Sequence, residues 1–246
     1  MVTIQCGNVQ FPSIEAVLFD KDGTLADSHA FLRSLGQKRS RVIDARIPGV
    51  QEPLLMAFGL DGDRLNPAGL LAVGTRLENE IAAAAYVAET GRDWIEAMTL
   101  VRSAFVEADR VFQRKADNTP LFAGAGDVLQ ALSIAGLKVG IVSADTTENV
   151  SDFVARYELK AWIQVALGID QGPGKPDPTV FYQACAALNV PPERVLSIGD
   201  SAADIEMAKA ANAAGCVAVT WGWTQRERLR QADVSIASFL DIQILK

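Results

Sequence analysis

Four short polar clusters each follow an apolar, strand-like run. They are Asp20-Lys21-Asp22-Gly23-Thr24 after AVLF, Ser143 after VGIV, Lys175 within GPGKPDP, and Asp200-Ser201-Ala202-Ala203-Asp204 after VLSIG. Brought to one site, Asp20, Asp22, Asp200 and Asp204 would supply four carboxylates, Ser143 one hydroxyl and Lys175 one ammonium. Oxygen ligands of this kind suit a hard divalent cation. A carboxylate beside such an ion can serve as nucleophile, with the lysine left to neutralise an anionic substrate. The reaction implied is phosphoryl transfer through an aspartyl-phosphate.

The offset between Asp20 and Asp22 has a chemical use. In-line attack on phosphorus needs one bare carboxylate close to the metal, while a second, slightly displaced, delivers a proton to the departing oxygen. Asp20 is the expected nucleophile. Asp22 is the expected general acid, and later the base that activates water. Asp-Gly is also a common turn pair, so this cluster read alone is compatible with a surface turn.

Residues so far apart share a site only if the fold collects them. In an open parallel sheet, the loops at the carboxyl ends of the strands converge on one crevice. Strand-like runs occur at 16–19, 138–142, 163–167, 195–198, 216–219 and 234–236. Helix-patterned segments at 126–135, 149–157, 178–188, 204–211 and 224–231 lie between most of them. That alternation predicts a doubly wound α/β domain with a parallel sheet and right-handed crossovers. From about Ser28 to Asn118 the pattern changes: apolar residues recur at helical spacing and no strand-like run is bounded by turns. The expectation is an α/β core over residues 1–27 and 115–246, with a helical insertion over 28–114, its internal turns marked by Gly59, Gly62, Pro67 and Gly91.

The chain has 246 residues, 49% of them hydrophobic, and a formal charge of −7 from 23 basic and 30 acidic side chains. That length supports a large core or a core with a smaller domain. An acidic surface disfavours nucleic acid as a partner while leaving room for a local basic pocket that takes a small phosphate. Cys6, Cys185 and Cys216 are scattered and lack metal-finger spacing, which reads as reduced structural cysteine in a cytoplasmic protein. The first twenty residues lack the basic and apolar regions of a signal peptide. No apolar run approaches the roughly 18 residues that a membrane span requires.

Taken together, the clusters resemble the haloacid dehalogenase-like hydrolase superfamily, whose first motif is DxDGT after the first strand. The resemblance runs from about Glu15 to Leu245 outside the insertion, with all four motifs in order. It implies a Rossmann-like core with an inserted helical cap, and a role for each matching residue. The Ser143 hydroxyl would bind a phosphoryl oxygen, and Lys175 would stabilise the nucleophile and the transferring group. Mg²⁺ would be held by Asp20, the backbone carbonyl of Asp22, Asp200 and Asp204, the last directly or through water. Read singly, Ser143 also suits a turn or cap, Lys175 a solvated loop, and Asp204 a helix cap. Asp177 and Pro178 suit an N-cap and first helical residue that would fix the lysine's direction.

The activity implied is hydrolysis of a small phosphorylated metabolite, with phosphoglycolate as the first substrate expected. A phosphomutase of sugar phosphates and a haloacid dehalogenase are alternatives on the same fold; dehalogenases lack an acid at the position of Asp22. A non-catalytic scaffold is a third class, but such proteins usually lose a nucleophile or metal ligand and this chain has lost none. Oligomeric state is not legible. Arg33, Lys38, Arg39 and Arg41, early in the insertion, are candidates to meet a substrate carboxylate, with a solvated helix face as the competing reading.

Three departures stand out. Asp145 follows Ser143 where many relatives carry a neutral residue nearby, and an added carboxylate there would weaken phosphate binding unless it points away. Asn212 replaces a usual glycine after the fourth motif, in a position where asparagine tolerates the left-handed cap conformation. The usual Pro-Gly ahead of the second strand unit is replaced by Phe122-Ala123-Gly124-Ala125-Gly126. GAGDVL and GPGKP fail the nucleotide-loop patterns, the latter because Pro176 stands where Ser or Thr is needed. His29, nine residues from Asp20, reads as linker or surface.

Overall fold

The computed structural model describes residues 2–223 and 229–245. Strands β1 (Val2–Cys6) and β2 (Val9–Ile14) form a hairpin turning at Gly7, and β3 (Ala16–Phe19) follows, buried at every position. Next come helices α1 (His29–Asp44) and α2 (Gln51–Phe58), a small hairpin of β4 (Leu60–Asp61) and β5 (Arg64–Leu65), and helices α3 (Leu70–Val73), α4 (Arg76–Glu89) and α5 (Trp94–Arg110). Then strands and helices alternate: α6 (Ala125–Ile134), β6 (Lys138–Val142), α7 (Thr147–Arg156), β7 (Val165–Leu167), α8 (Thr179–Leu188), β8 (Val195–Gly199), α9 (Ala202–Ala210) and β9 (Gly215–Val219). Strands β10 (Val234–Ile236) and β11 (Ile242–Leu245) close the described chain.

Six of these strands pair in parallel in the order β10-β9-β8-β3-β6-β7. Strands β3, β8 and β9 are buried at every residue, as expected of a parallel sheet covered on both faces. This is the expected doubly wound α/β core. β3 lies between β6 and β8, so the chain builds outward to β7, then returns to the other side of β3 and builds outward again. That reversal is the switch point at which an open sheet leaves a crevice beyond the strands' carboxyl ends.

Local chemistry moved several helix starts from their expected places. Thr146 accepts a hydrogen bond from the Asn149 amide, so α7 begins two residues before the expected Asn149. Ser201 and Asp204 form a capping box that starts α9 at Ala202, ahead of the expected Asp204. Pro178 precedes α8 and is not its first residue, while the Asp177 carboxylate accepts from the Thr179 amide at 2.9 Å. Asn212 adopts φ 55°, the left-handed conformation. The helix expected over 224–231 falls mostly outside the described residues, and 229–231 are not helical.

One sheet was not anticipated. β11, β1 and β2 form a three-stranded antiparallel sheet in which Thr3 pairs with Leu245 and Cys6 with Ile242. Pro12 lies in β2, an edge strand of this sheet, where a missing amide donor is tolerated.

The chain separates into two compact units, residues 1–28 with 119–246, and residues 29–118. The second unit contains the β4–β5 hairpin, which the helical periodicity of this region did not predict. Its helices are joined by a partly buried ionic network. Arg39, 7% exposed, donates to Asp109 from Nε (3.2 Å) and Nη2 (2.9 Å), and its guanidinium lies 4.2 Å from the Phe105 ring centroid. Arg76 pairs with the same Asp109 and with Glu80. Arg33 pairs with Asp63 at 3.0 Å. These two arginines of the candidate substrate-reading set therefore have partners within their own unit. Arg39→Ala removes the guanidinium packed on Phe105 and one of the two arginine partners of half-exposed Asp109, which Arg76 still pairs, so it is expected to lower unfolding free energy by about 1 to 2 kcal/mol. Denaturant titration checks this, and a change below about 0.5 kcal/mol would mean that the network contributes little.

Among the described residues no helix is long and apolar enough to cross a membrane. The three cysteines are unpaired and buried, and burial pushes their thiols up, Cys6 to about 12 and Cys185 and Cys216 to about 11.

Candidate active site

Asp20 follows the last residue of β3, Ser143 the last of β6 and Asp200 the last of β8, so three of the four clusters leave adjacent strands at the same end. Lys175 comes from the loop after β7 and reaches inward with its side chain 4% exposed. Its ammonium donates to Asp20 Oδ1 at 2.7 Å, Asp204 Oδ1 at 2.6 Å and the Val142 carbonyl at 2.8 Å. One group thus ties together residues from three clusters and the peptide just before Ser143. The Lys175–Pro176 peptide bond is cis.

Asp204 has two tasks. Its Oδ2 closes the capping box by accepting from the Ser201 amide (3.1 Å) and hydroxyl (2.6 Å), and its Oδ1 takes the Lys175 ammonium. The capping reading holds for Oδ2, while Oδ1 lies against Lys175 in the cluster with Asp20 and Asp200. Gly199 makes the approach possible, since a Cβ there would lie 2.5 Å from the Asp204 side chain. Glu206, two residues on, is exposed.

Asp200, 6% exposed, accepts from the Thr24 hydroxyl at 2.8 Å on Oδ1 and from the Trp223 indole N–H on Oδ2. Neither donor is apparent from motif spacing. Gly23 has φ 90°, and a Cβ on it would sit 2.5 Å from Asp200 Oδ2 and 2.9 Å from the Trp223 nitrogen. The glycine of DKDGT is therefore required both for the turn and for the approach of β8's loop.

One carboxylate oxygen from each of Asp20, Asp200 and Asp204 lies within 4.8 Å of the others. Against these three anions the cluster sets one ammonium, leaving two negative charges when all are ionised. Burial pushes the Asp20 carboxyl up to about 6 against the pull of Lys175, with Asp204 and Asp22 adding to the rise. Asp200 is raised as well, by burial first and then by Asp20 and Asp204, partly offset by its bonds from Trp223 and Thr24. Burial works against the Lys175 ammonium too, but Asp20 and Asp204 outweigh it and hold its pKa above the ordinary value. A buried surplus of two negative charges on oxygen donors is what a divalent cation relieves, so the group can hold a metal ion.

Asp22 accepts from the Ser28 hydroxyl at 2.7 Å on Oδ1 and from the Lys21 ammonium at 2.7 Å on Oδ2. Ser143 is 1% exposed; its amide donates to the Leu167 carbonyl and its hydroxyl accepts from the Asp145 amide at 3.2 Å. The turn role and a position at the crevice coexist here as well. His29 is the first residue of α1, half-buried.

The profile of haloacid dehalogenase-like hydrolases matches residues 14–212. The chain belongs to that family. Similar in sequence is the phosphoglycolate phosphatase of Shigella sonnei, 30% identical over 239 residues that cover 95% of this chain and 92% of that one. The crystal structure of a predicted phosphoglycolate phosphatase from Haemophilus somnus superposes with a TM-score of 0.68 at 20% identity, covering 91% of this chain and 94% of that one. A β-phosphoglucomutase from Clostridium difficile gives 0.64 at 18% identity, with 92% and 91% coverage. At these identities the structures establish the fold.

Within the family pattern, the added carboxylate at Asp145 has a structural answer. Its Oδ2 lies 3.1 Å from the Lys21 ammonium, and its Oδ1 accepts from the Thr146 amide (2.9 Å) and the Asn149 side chain (2.7 Å). The charge is thus paired at the N-terminus of α7.

Proposed function

We propose that this hydrolase is a Mg²⁺-dependent phosphatase of a small organic phosphomonoester, phosphoglycolate foremost, working through an aspartyl-phosphate. The observation that carries this reading is the Lys175 ammonium bound to both Asp20 and Asp204, beside Asp200 in a cluster that can hold a metal. That arrangement gives a nucleophilic carboxylate its counter-charge and gathers the oxygen donors that a hard cation takes. The phosphoglycolate phosphatase relatives at about 30% identity support the substrate.

Asp20 attacks phosphorus in line, the bond from phosphorus to the ester oxygen breaks, and Asp22 gives that oxygen its proton. Asp22, now a carboxylate, takes a proton from water as the water oxygen attacks the same phosphorus. The bond to Asp20 breaks and inorganic phosphate leaves. Lys175 offsets the repulsion between the carboxylate and the incoming dianion, and the Ser143 hydroxyl donates to a phosphoryl oxygen. Asp20, the Asp22 carbonyl, Asp200 and Asp204 would hold Mg²⁺, which would supply further charge neutralisation. The helical unit is the part that selects the substrate. With Arg33 and Arg39 engaged internally, exposed Arg41 and half-buried Lys38 remain as its candidate carboxylate readers.

The test is phosphate release from a panel of phosphomonoesters with Mg²⁺ and with chelator. Release that requires the metal, with phosphoglycolate turned over best, is the expected result. Bisphosphate-dependent isomerisation of a sugar phosphate with no net release would make the chain a phosphomutase, and release from no substrate would remove the reading. Asp22→Asn is expected to lower turnover of phosphoglycolate by about 100-fold or more. It should lower that of p-nitrophenyl phosphate by less than about tenfold, because a good leaving group needs little protonation.

A further inference from the structure

Lys21 lies between the two aspartates of the first cluster and is completely enclosed, its side chain 1% exposed. A buried ammonium is costly unless it is paired. Here it meets two carboxylates from different elements, Asp22 Oδ2 at 2.7 Å and Asp145 Oδ2 at 3.1 Å, and stands 5.7 Å from the ring centroid of buried Phe153 on α7. Asp145 cannot follow a moving lysine, because its other oxygen is engaged by the Thr146 amide and the Asn149 side chain. The lysine's own carbonyl is equally fixed, accepting from the amides of Leu25 (2.9 Å) and Ala26 (2.8 Å). With Ser28 bound to the other oxygen of Asp22, that carboxylate is held from both sides. An apolar side chain at position 21 would fill the space beside Phe153 without the desolvation cost. What the ammonium adds is direction.

We propose that Lys21 is the positioning residue for Asp22, locked in place by Asp145, so that the pair couples the loop after β3 to the loop after β6. The inference rests on the phosphatase reading for Asp22's role as proton donor. It also explains why a carboxylate stands two residues after Ser143 without repelling an anionic substrate: its charge is spent on the lysine that orients the acid.

The experiment compares Lys21→Met, Lys21→Arg and the double variant Lys21→Met with Asp145→Asn. Lys21→Met is expected to lower kcat for phosphoglycolate by about 10- to 100-fold, part of the range that general acid catalysis contributes. It should lower kcat for p-nitrophenyl phosphate by less than about threefold. Lys21→Arg, which keeps the charge, is expected to recover most of the phosphoglycolate rate. The double variant removes the orphaned Asp145 charge, so it should regain the thermal stability lost in Lys21→Met without regaining that rate. Equal losses on both substrates, or recovery of rate together with stability in the double variant, would reduce Lys21 to a structural ion pair. Crystal structures of the wild type and Lys21→Met give a readout independent of turnover. The Asp22 carboxylate should be displaced in the variant, and an unmoved carboxylate overturns the proposal. If the wild type releases no phosphate while Asp22 is displaced in Lys21→Met, the reading of the reaction fails and the positioning role stands.

Discussion

Asp20→Asn is expected to lower kcat by about four to six orders of magnitude, the scale on which loss of a covalent nucleophile acts. The amide is nearly isosteric but cannot attack phosphorus. Acid-quenched phosphoenzyme should disappear in parallel. Residual turnover above about 1% in a clean preparation would assign the nucleophile elsewhere. The variant should not fail by unfolding, and the reason is electrostatic. Asp20's folded pKa, about 6, lies above its unfolded value of 3.8, so the folded state favours the protonated form. The ionised carboxylate therefore costs stability above about pH 6, and that cost fades as pH falls through 6 toward 4. A neutral Asn removes the cost, although Lys175 loses one of its two carboxylate partners. In chelator at pH 7.5, Asp20→Asn should melt no lower than the wild type, and its relative advantage should shrink at pH 4.5. Melting curves at the two pH values check the sign.

Asp200→Asn carries the second large effect. It removes one of three anionic donors from the cluster, where even outer-shell changes cost 10- to 100-fold in metal affinity. Mg²⁺ affinity is expected to fall by more than about 100-fold, and activity at millimolar Mg²⁺ to fall with it. Two readouts are independent of turnover. Ligand at a hundred times Kd stabilises by about 2.7 kcal/mol, which for a chain of this size raises Tm by roughly 5 to 10 °C. The wild type should show that rise and Asp200→Asn almost none of it. The Trp223 indole donates to Asp200, so Mg²⁺ should also change the tryptophan emission of the wild type, and Trp223→Phe should silence that change. A wild type whose Tm and emission both ignore Mg²⁺ would show that the carboxylate cluster does not bind the ion.

The sequence alone was enough to identify the family and the strands that carry its motifs. Short, fully apolar runs such as 16–19 and 195–198 read as buried parallel strands because a sheet covered on both faces has no polar side to alternate with. The motifs then had to lie at their carboxyl ends, where the switch point beside β3 collects them. Asp20, Lys175, Asp200 and Asp204 meet there through side-chain hydrogen bonds or a shared carboxylate cluster, and Ser143 leaves the neighbouring strand.

Other features depended on partners distant in sequence. The β11-β1-β2 sheet pairs residues 3 and 245, and no local window contains both. The short hairpin at 60–65 is too brief to interrupt the helical periodicity around it. Arg39 looked like a helix-surface charge until Asp109, seventy residues away, was placed beside it. Trp223 and Thr24 became partners of Asp200, and Lys21 became the link between Asp22 and Asp145, only when the loops after β3, β6, β8 and β9 converged. Residue types and spacing determine which chemistry a chain can perform, because strand and helix periods are local. Which oxygen accepts which proton is decided by tertiary contact, because a buried charge takes its orientation and its pKa from whatever the fold packs against it.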